Sequence, residues 1–130
     1  MDAPASSESW VLVVDDDVEA RAPLAEYLRL STHATVLEAD DGKSALDILR
    51  DATTAPVAVI ADLEMPVMSG WDFVQAVHRD PRFAGVFVVV VSGRTLSAEE
   101  RKSLPAEYLR KPCDIVALGR RIAPLVAPVE

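Results

Sequence analysis

The sequence predicts an α/β fold in which helices cover both faces of a parallel β-sheet. Short apolar runs rich in valine, such as residues 86–91, alternate along the chain with stretches in which apolar residues recur at helical spacing. Such alternation is typical of strand–helix–strand crossovers, which build parallel sheets. The apolar runs are also continuous, as expected for strands that are buried on both faces.

Five strands and five helices can be placed from these patterns. Strands are predicted at residues 10–14, 35–38, 57–61, 86–91 and 108–110, and helices at 18–30, 43–50, 70–78, 98–103 and 115–126. The fourth helix has little apolar periodicity, yet Ser97 and Glu100 have the spacing of a capping box at its start. Pro23 would cost about 3 kcal/mol inside the first helix, so that helix is expected to kink or to begin later.

The size and charge of the chain narrow the classes of function. Its 130 residues suit one domain, predicted at residues 10–126 between a flexible N-terminus (1–9) and a C-terminal tail (127–130). The net charge of −8 disfavours binding to nucleic acids and anionic membranes. Cys113 is the single cysteine, so no internal disulfide can form, and residues 1–9 do not resemble a secretion signal. A cytoplasmic location is therefore expected.

Polar residues follow the predicted strands at their carboxyl ends. Asp15 and Asp16 come after the first strand, Asp62 after the third, Ser92 after the fourth and Lys111 after the fifth. Ligands of open parallel sheets bind in the crevice outside these ends, so the five side chains are expected to share one pocket. Clustered carboxylates repel one another unless a cation lies among them, and oxygen ligands beside a lysine favour Mg²⁺.

Asp62 is the best candidate for a nucleophile in such a pocket. It stands alone at its strand end, whereas Asp15 and Asp16 are adjacent and suited to holding a metal. A carboxylate beside Mg²⁺ and an ammonium group can attack phosphorus and form an acyl phosphate. Asp17, which precedes the first helix, is interpreted as its N-cap rather than as a ligand.

Four fragments in this order resemble the receiver domains of response regulators. They are Val13-Val14-Asp15-Asp16-Asp17, Ala61-Asp62-Leu63-Glu64-Met65-Pro66 with Ser69-Gly70, Val91-Ser92-Gly93, and Tyr108-Leu109-Arg110-Lys111-Pro112. The resemblance spans most of the chain and implies a flavodoxin-like, three-layer α/β/α fold with a five-stranded parallel sheet of order 2-1-3-4-5. It also implies a cis peptide bond between Lys111 and Pro112.

The resemblance further implies roles for individual residues. Asp16 and Asp62 would ligate Mg²⁺ directly, Asp15 through water, and Glu64 through its main-chain carbonyl. Asp62 would be the phosphoacceptor, assisted by Lys111 and Ser92. Ser92 and Tyr108 would form the switch that alters the surface of helix four, strand five and helix five.

The implied function is signalling in a two-component phosphorelay rather than catalysis of turnover, so the domain is not expected to be an enzyme. The expected partners are a histidine kinase or histidine phosphotransfer protein, and a downstream effector protein or fused output domain.

Glu64 and Arg94, two residues after Asp62 and Ser92, have opposite charges. They are hypothesised to pair across the pocket mouth and slow hydrolysis of the acyl phosphate.

Two other functions remain open from the sequence. A phosphatase of the haloacid dehalogenase class also uses an aspartate after a first strand, a later serine and a lysine, but it needs a further acidic motif after the lysine. Only Asp114 and Glu130 follow Lys111 here. The other alternative is an adaptor that keeps the pocket but is never phosphorylated.

Overall fold

The computed structural model describes residues 8–127. The predicted terminal segments, 1–9 and 127–130, fall largely outside these residues. The strands are β1 (Trp10–Val14), β2 (Thr35–Ala39), β3 (Ala58–Asp62), β4 (Phe87–Ser92) and β5 (Glu107–Arg110). The helices are α1 (Val18–Ser31), α2 (Gly42–Asp51), α3 (Gly70–Arg79), α4 (Ala98–Ser103) and α5 (Ile115–Ile122).

The five strands form one parallel sheet of order β2-β1-β3-β4-β5. This confirms the predicted flavodoxin-like fold class and strand order. The sheet separates two apolar cores. One contains residues of α2 and α3, such as Leu49 and Phe73, and the other contains residues of α1 and α5, such as Leu28 and Ile122. Parallel strands covered on both faces explain why their sequences are continuous apolar runs.

A polar side chain caps the start of each α-helix. The caps are Asp17, Asp41, Ser69, Ser97 and Asp114, and each accepts a hydrogen bond from a backbone N–H of the first turn. These bonds satisfy donors that have no partner within the helix. The cap of α4 is the predicted box of Ser97 and Glu100, so this helix of 6 residues forms although its side chains are exposed or half-buried.

Several boundaries differ from the prediction. Strands β3 and β4 extend one residue further, so Asp62 and Ser92 are the last residues of their strands rather than the first residues after them. Helix α5 ends at Ile122, and a short 3₁₀ helix follows at Ala123–Leu125. Pro124 has no N–H to donate to the preceding turn, which accounts for the early end of the α-helix.

Pro23 lies inside α1, which begins at Val18 and runs through to Ser31. Of the two predicted alternatives, a kink or a later start, the later start is therefore wrong. Pro23 is exposed, and so is Glu19, whose carbonyl loses its hydrogen-bond donor to the proline. Among residues 8–127, no helix combines the length and the apolar character that crossing a membrane requires.

Candidate functional site

The candidate site lies at the carboxyl edge of the sheet, where β1 and β3 run side by side. Val14 pairs with Ala61, so the residues that follow them, Asp15 and Asp62, emerge as neighbours. Lys111 follows β5 and reaches both carboxylates. Its Nζ donates to Asp15 Oδ2 at 3.1 Å and to Asp62 Oδ2 at 3.2 Å. Residues separated by 96 and 49 positions in the chain thus form one charged cluster.

Three carboxylates meet in this cluster. Oxygen atoms of Asp15, Asp16 and Asp62 all lie within 4.8 Å of one another. Asp15 and Asp62 are 7% and 8% exposed, whereas Asp16 is exposed. The three could therefore hold one cation between them, with the open side at Asp16. An all-oxygen donor set of this kind suits a hard divalent ion such as Mg²⁺.

The surroundings shift the protonation equilibria of two of these groups. Burial raises the pKa of Asp62 above its usual value, and the charge of Asp15 adds to this. A backbone hydrogen bond from Glu64 and the charge of Lys111 oppose it. Burial would lower the pKa of Lys111, but its hydrogen bonds and ion pairs with Asp15 and Asp62 outweigh burial and raise it. The lysine is therefore held as an ammonium ion between the two acids.

Backbone hydrogen bonds and one arginine hold the two acidic loops in place. Asp17 donates its N–H to Asp15 Oδ1 at 2.9 Å, and Glu64 donates its N–H to Asp62 Oδ1 at 3.2 Å. The Asp17 side chain accepts from Glu19 N, so Asp17 is the N-cap of α1 as predicted. Arg21 donates from Nη1 to the carbonyl of Asp15 at 2.6 Å. Sequence reasoning missed this arginine, because nothing in its local pattern marks it.

The loop after Asp62 is tightly constrained. A Cβ at Gly70 would lie 2.1 Å from the carbonyl oxygen of Asp62, so only glycine lets α3 begin this close to the strand. Before it, Met68 donates its N–H to the carbonyl of Pro66 at 2.8 Å, which closes a γ-turn centred on Val67. Val67 has a φ of 68° and is 78% exposed, an unusual conformation for a β-branched residue.

Ser92 is fully buried beside the cluster, and its hydroxyl has two partners. The Oγ accepts from the N–H of Arg94 at 3.1 Å and donates to Glu64 Oε1 at 3.2 Å. The same oxygen of Glu64 lies 3.4 Å from Arg94 Nε. Glu64 and Arg94 therefore form an ion pair, the contact on which the shielding hypothesis depends. Arg94 also contacts Glu100 of α4 at 3.0 Å.

Tyr108 is half-buried on β5, and its hydroxyl donates to the carbonyl of Arg94 at 2.5 Å. The guanidinium carbon of Arg101 lies 4.9 Å from the centre of its ring. The tyrosine is thereby joined to the loop that follows Ser92. The peptide bond between Lys111 and Pro112 is cis, as the resemblance implied.

A cleft of about 440 Å³ adjoins the carboxylates on the side of α1 and α5. Its walls are mainly apolar and include Leu24, Ile60 and Ile115, while Asp62 and Lys111 lie at its polar end. Cys113 also lines the cleft, and burial raises the pKa of its thiol, with the charge of Asp114 adding to this.

The phosphatase alternative finds no support in the geometry. Of the two acidic residues after Lys111, Asp114 accepts a hydrogen bond from Ala117 N at 3.1 Å as the cap of α5, and Glu130 lies outside the described residues. Asp62, which that scheme does not use, lies instead at the centre of the charged cluster.

Comparison with known proteins gives consistent results. The family model described as the response regulator receiver domain matches residues 11–123. The chain is 33% identical over 105 residues to the chemotaxis protein CheY1 of Helicobacter pylori, and the aligned region covers 78% of this chain and 84% of that protein. It is 38% identical over 130 residues to the transcriptional regulatory protein PrrA of Mycobacterium leprae, which covers 97% of this chain and 53% of that protein.

Other relatives are much longer than this chain. It is 29% identical to part of the sensor histidine kinase CheAY of Helicobacter pylori, of which it spans only 13%.

Among solved structures, a response regulator receiver protein from Pseudomonas putida has a TM-score of 0.77 and 29% identity, with coverage of 91% of this chain and 98% of that one. The chemotaxis response regulator CheY4 of Vibrio cholerae has a TM-score of 0.76 and 26% identity, with coverage of 92% and 99%.

The family match covers nearly the whole described chain, and the fold and the carboxylate cluster agree with it. The chain therefore belongs to the receiver domain family of response regulators, the signalling domains of two-component systems.

Proposed function

We propose that this domain accepts a phosphoryl group on Asp62 from a histidine kinase or a histidine phosphotransfer protein, with Mg²⁺ as cofactor. The observation that carries the proposal is the charged cluster, in which the Lys111 ammonium lies 3.1 and 3.2 Å from two buried carboxylates beside an exposed third. Such a cluster combines a nucleophile, a cation site and a positive group for phosphoryl oxygens.

The donor set fits Mg²⁺. Three carboxylates this close repel one another, and a bound cation would relieve that repulsion. Asp15, Asp16 and Asp62 would hold the ion together with the main-chain carbonyl of Glu64. When bound, the ion neutralises charge on the oxygens of the transferring group.

The residues of the chain would divide the remaining work. A carboxylate oxygen of Asp62 would bond to phosphorus while the bond from phosphorus to the donor histidine nitrogen breaks. Lys111 would then contact the phosphoryl oxygens, since its ammonium already touches Asp62. Ser92 would donate its hydroxyl to the phosphoryl group. Glu64 and Arg94 would hinder the water that later hydrolyses the acyl phosphate.

Switching would follow from the movement of Ser92. As it turns towards the phosphoryl group, Tyr108 would enter the space it leaves, and the surface of α4, β5 and α5 would change. That surface would bind a downstream effector protein or a fused output domain. The domain would assist only its own phosphorylation and dephosphorylation, act in the cytoplasm, and bind neither nucleic acid nor membrane.

Intact mass measurement with Mg²⁺ and acetyl phosphate tests the proposal. The wild-type domain should gain the mass of one phosphoryl group, and Asp62→Ala should gain none. Asp72→Ala, which removes an exposed aspartate at the start of α3, is the matched control and should label normally. Magnesium binding without labelling, by acetyl phosphate or by a kinase, would favour the adaptor, and turnover of a phosphate ester would favour the phosphatase.

A further inference from the structure

Glu64 contacts the switch hydroxyl directly, and this contact suggests a role for its side chain beyond shielding the pocket. Ser92 Oγ donates to Glu64 Oε1 at 3.2 Å and accepts from Arg94 N at 3.1 Å. Ser92 is 0% exposed, so in this arrangement its proton is directed to the carboxylate rather than to water.

A serine hydroxyl has one proton and can donate one hydrogen bond at a time. A phosphoryl group on Asp62 would have to accept the same hydrogen bond from Ser92 that Glu64 now accepts. Acceptance by a carboxylate makes the existing bond one of the stronger kinds, because the acceptor is charged. The phosphoryl group must therefore displace Glu64 before Ser92 can bind it.

The carboxylate is held over Ser92 by the neighbouring arginine. Arg94 Nε lies 3.4 Å from the same Oε1, and its Nη1 lies 3.0 Å from Glu100 Oε2. Arg94 thus links the carboxylate that holds Ser92 to the first turn of α4, where Glu100 completes the capping box. The Arg94 side chain pairs with two carboxylates, Glu64 and Glu100, so movement of Glu64 away from Ser92 would alter one of these two ion pairs.

We propose that Glu64 is a positioning residue that competes with the phosphoryl group for the Ser92 hydroxyl and so holds the switch in its unphosphorylated arrangement. The inference rests on the proposed function and adds to it a defined competitor. It differs from the shielding role, because it acts on the equilibrium between the two arrangements rather than on the access of water.

The test uses beryllium fluoride with Mg²⁺, a mimic of the phosphoryl group that binds reversibly, and follows binding by fluorine NMR. Glu64→Asp keeps the charge but withdraws the carboxylate by about 1.5 Å, the length of one carbon–carbon bond, which breaks the contact with Ser92. Its affinity for the mimic should rise by about three- to tenfold, since a hydrogen bond to a charged acceptor is worth about a factor of ten. Glu99→Ala, an exposed acid of α4, is the matched control and should bind like the wild type.

A double-mutant cycle separates the hydrogen bond from the charge. Glu64→Ala should raise the affinity for beryllium fluoride in the wild-type background by a factor at least about three times larger than in the Ser92→Ala background. The Ser92→Ala variant has no hydroxyl for which Glu64 and the mimic could compete. Equal effects in the two backgrounds, with Glu64→Asp unchanged from the wild type, would show that Glu64 acts through its charge alone and overturn the inference. Failure of the wild-type domain to bind the mimic would instead count against the proposed function.

Discussion

Lys111→Met should destabilise the magnesium-free domain and tighten its binding of Mg²⁺. Methionine has a similar length and no charge, so the change removes the ammonium that lies 3.1 Å from Asp15 and 3.2 Å from Asp62. At these distances one ion pair is worth about 5 kcal/mol at an effective dielectric constant of about 20 and about 1 kcal/mol in water.

The stability lost in Lys111→Met should be well below the summed Coulomb energies of the two ion pairs, Lys111–Asp15 and Lys111–Asp62. The lysine side chain is 30% exposed, so solvent screens it, and its own desolvation offsets much of the attraction. A loss of about 2 kcal/mol in the free energy of unfolding follows, or a decrease of about 8 °C in Tm for a domain of this size. Without the competing ammonium, the carboxylates should bind Mg²⁺ about tenfold more tightly.

The assay is urea unfolding in EDTA and in increasing Mg²⁺, with tryptophan fluorescence as the signal. Lys43→Met is the matched control, because Lys43 is 68% exposed and its pair with Asp47 is 3.6 Å long. It should change the free energy of unfolding by less than about 0.5 kcal/mol. If Lys111→Met is as stable as the control in EDTA and its Mg²⁺ affinity is unchanged, the ammonium does not compensate the carboxylates and the electrostatic account of the site is wrong.

Gly70→Ala should lower the free energy of unfolding by several kcal/mol, because the added Cβ would lie 2.1 Å from a backbone oxygen. Gly93→Ala is the control, since apart from its chain neighbours no described atom lies within 4 Å of a Cβ at that position, and it should leave the free energy of unfolding unchanged or raise it by about 0.5 kcal/mol in the same assay. Val67→Asn should stabilise the domain by about 0.5–1 kcal/mol, since asparagine tolerates a φ of 68° better than an exposed valine does; a loss of stability would contradict the strain. In EDTA, the wild type should become more stable relative to Asp62→Asn as the pH falls towards the raised pKa of the Asp62 carboxyl. The reason is that the folded chain binds this proton more tightly than the unfolded chain does. A loss of stability relative to Asp62→Asn would show that the pKa of Asp62 is not raised. Arg94→Ala should shorten the half-life of the phosphorylated domain, measured by loss of the added mass after the phosphodonor is removed, and an unchanged half-life would count against shielding of the acyl phosphate.

Much of the fold could be predicted because its determinants are local. Buried parallel strands must be continuous apolar runs, and capped helices begin directly after an Asp or Ser, so both types of element are visible in short windows of sequence. The errors lie at boundaries. Asp62 and Ser92 proved to be the last residues of β3 and β4, because pairing with a neighbouring strand, rather than local hydrophobicity, decides where a strand ends.

The sequence by itself determined the types of chemical group and the strand ends at which they lie, and its motifs identified the family. Only the tertiary structure decided how these groups are paired. That Lys111 bridges two acids, that Arg21 holds the carbonyl of Asp15, and that Glu64 accepts a hydrogen bond from Ser92 all depend on which strands are neighbours and how the loops turn. Hydrogen bonds form over about 3 Å, and residues up to 96 positions apart come within that distance only after the crossovers have placed the strands side by side.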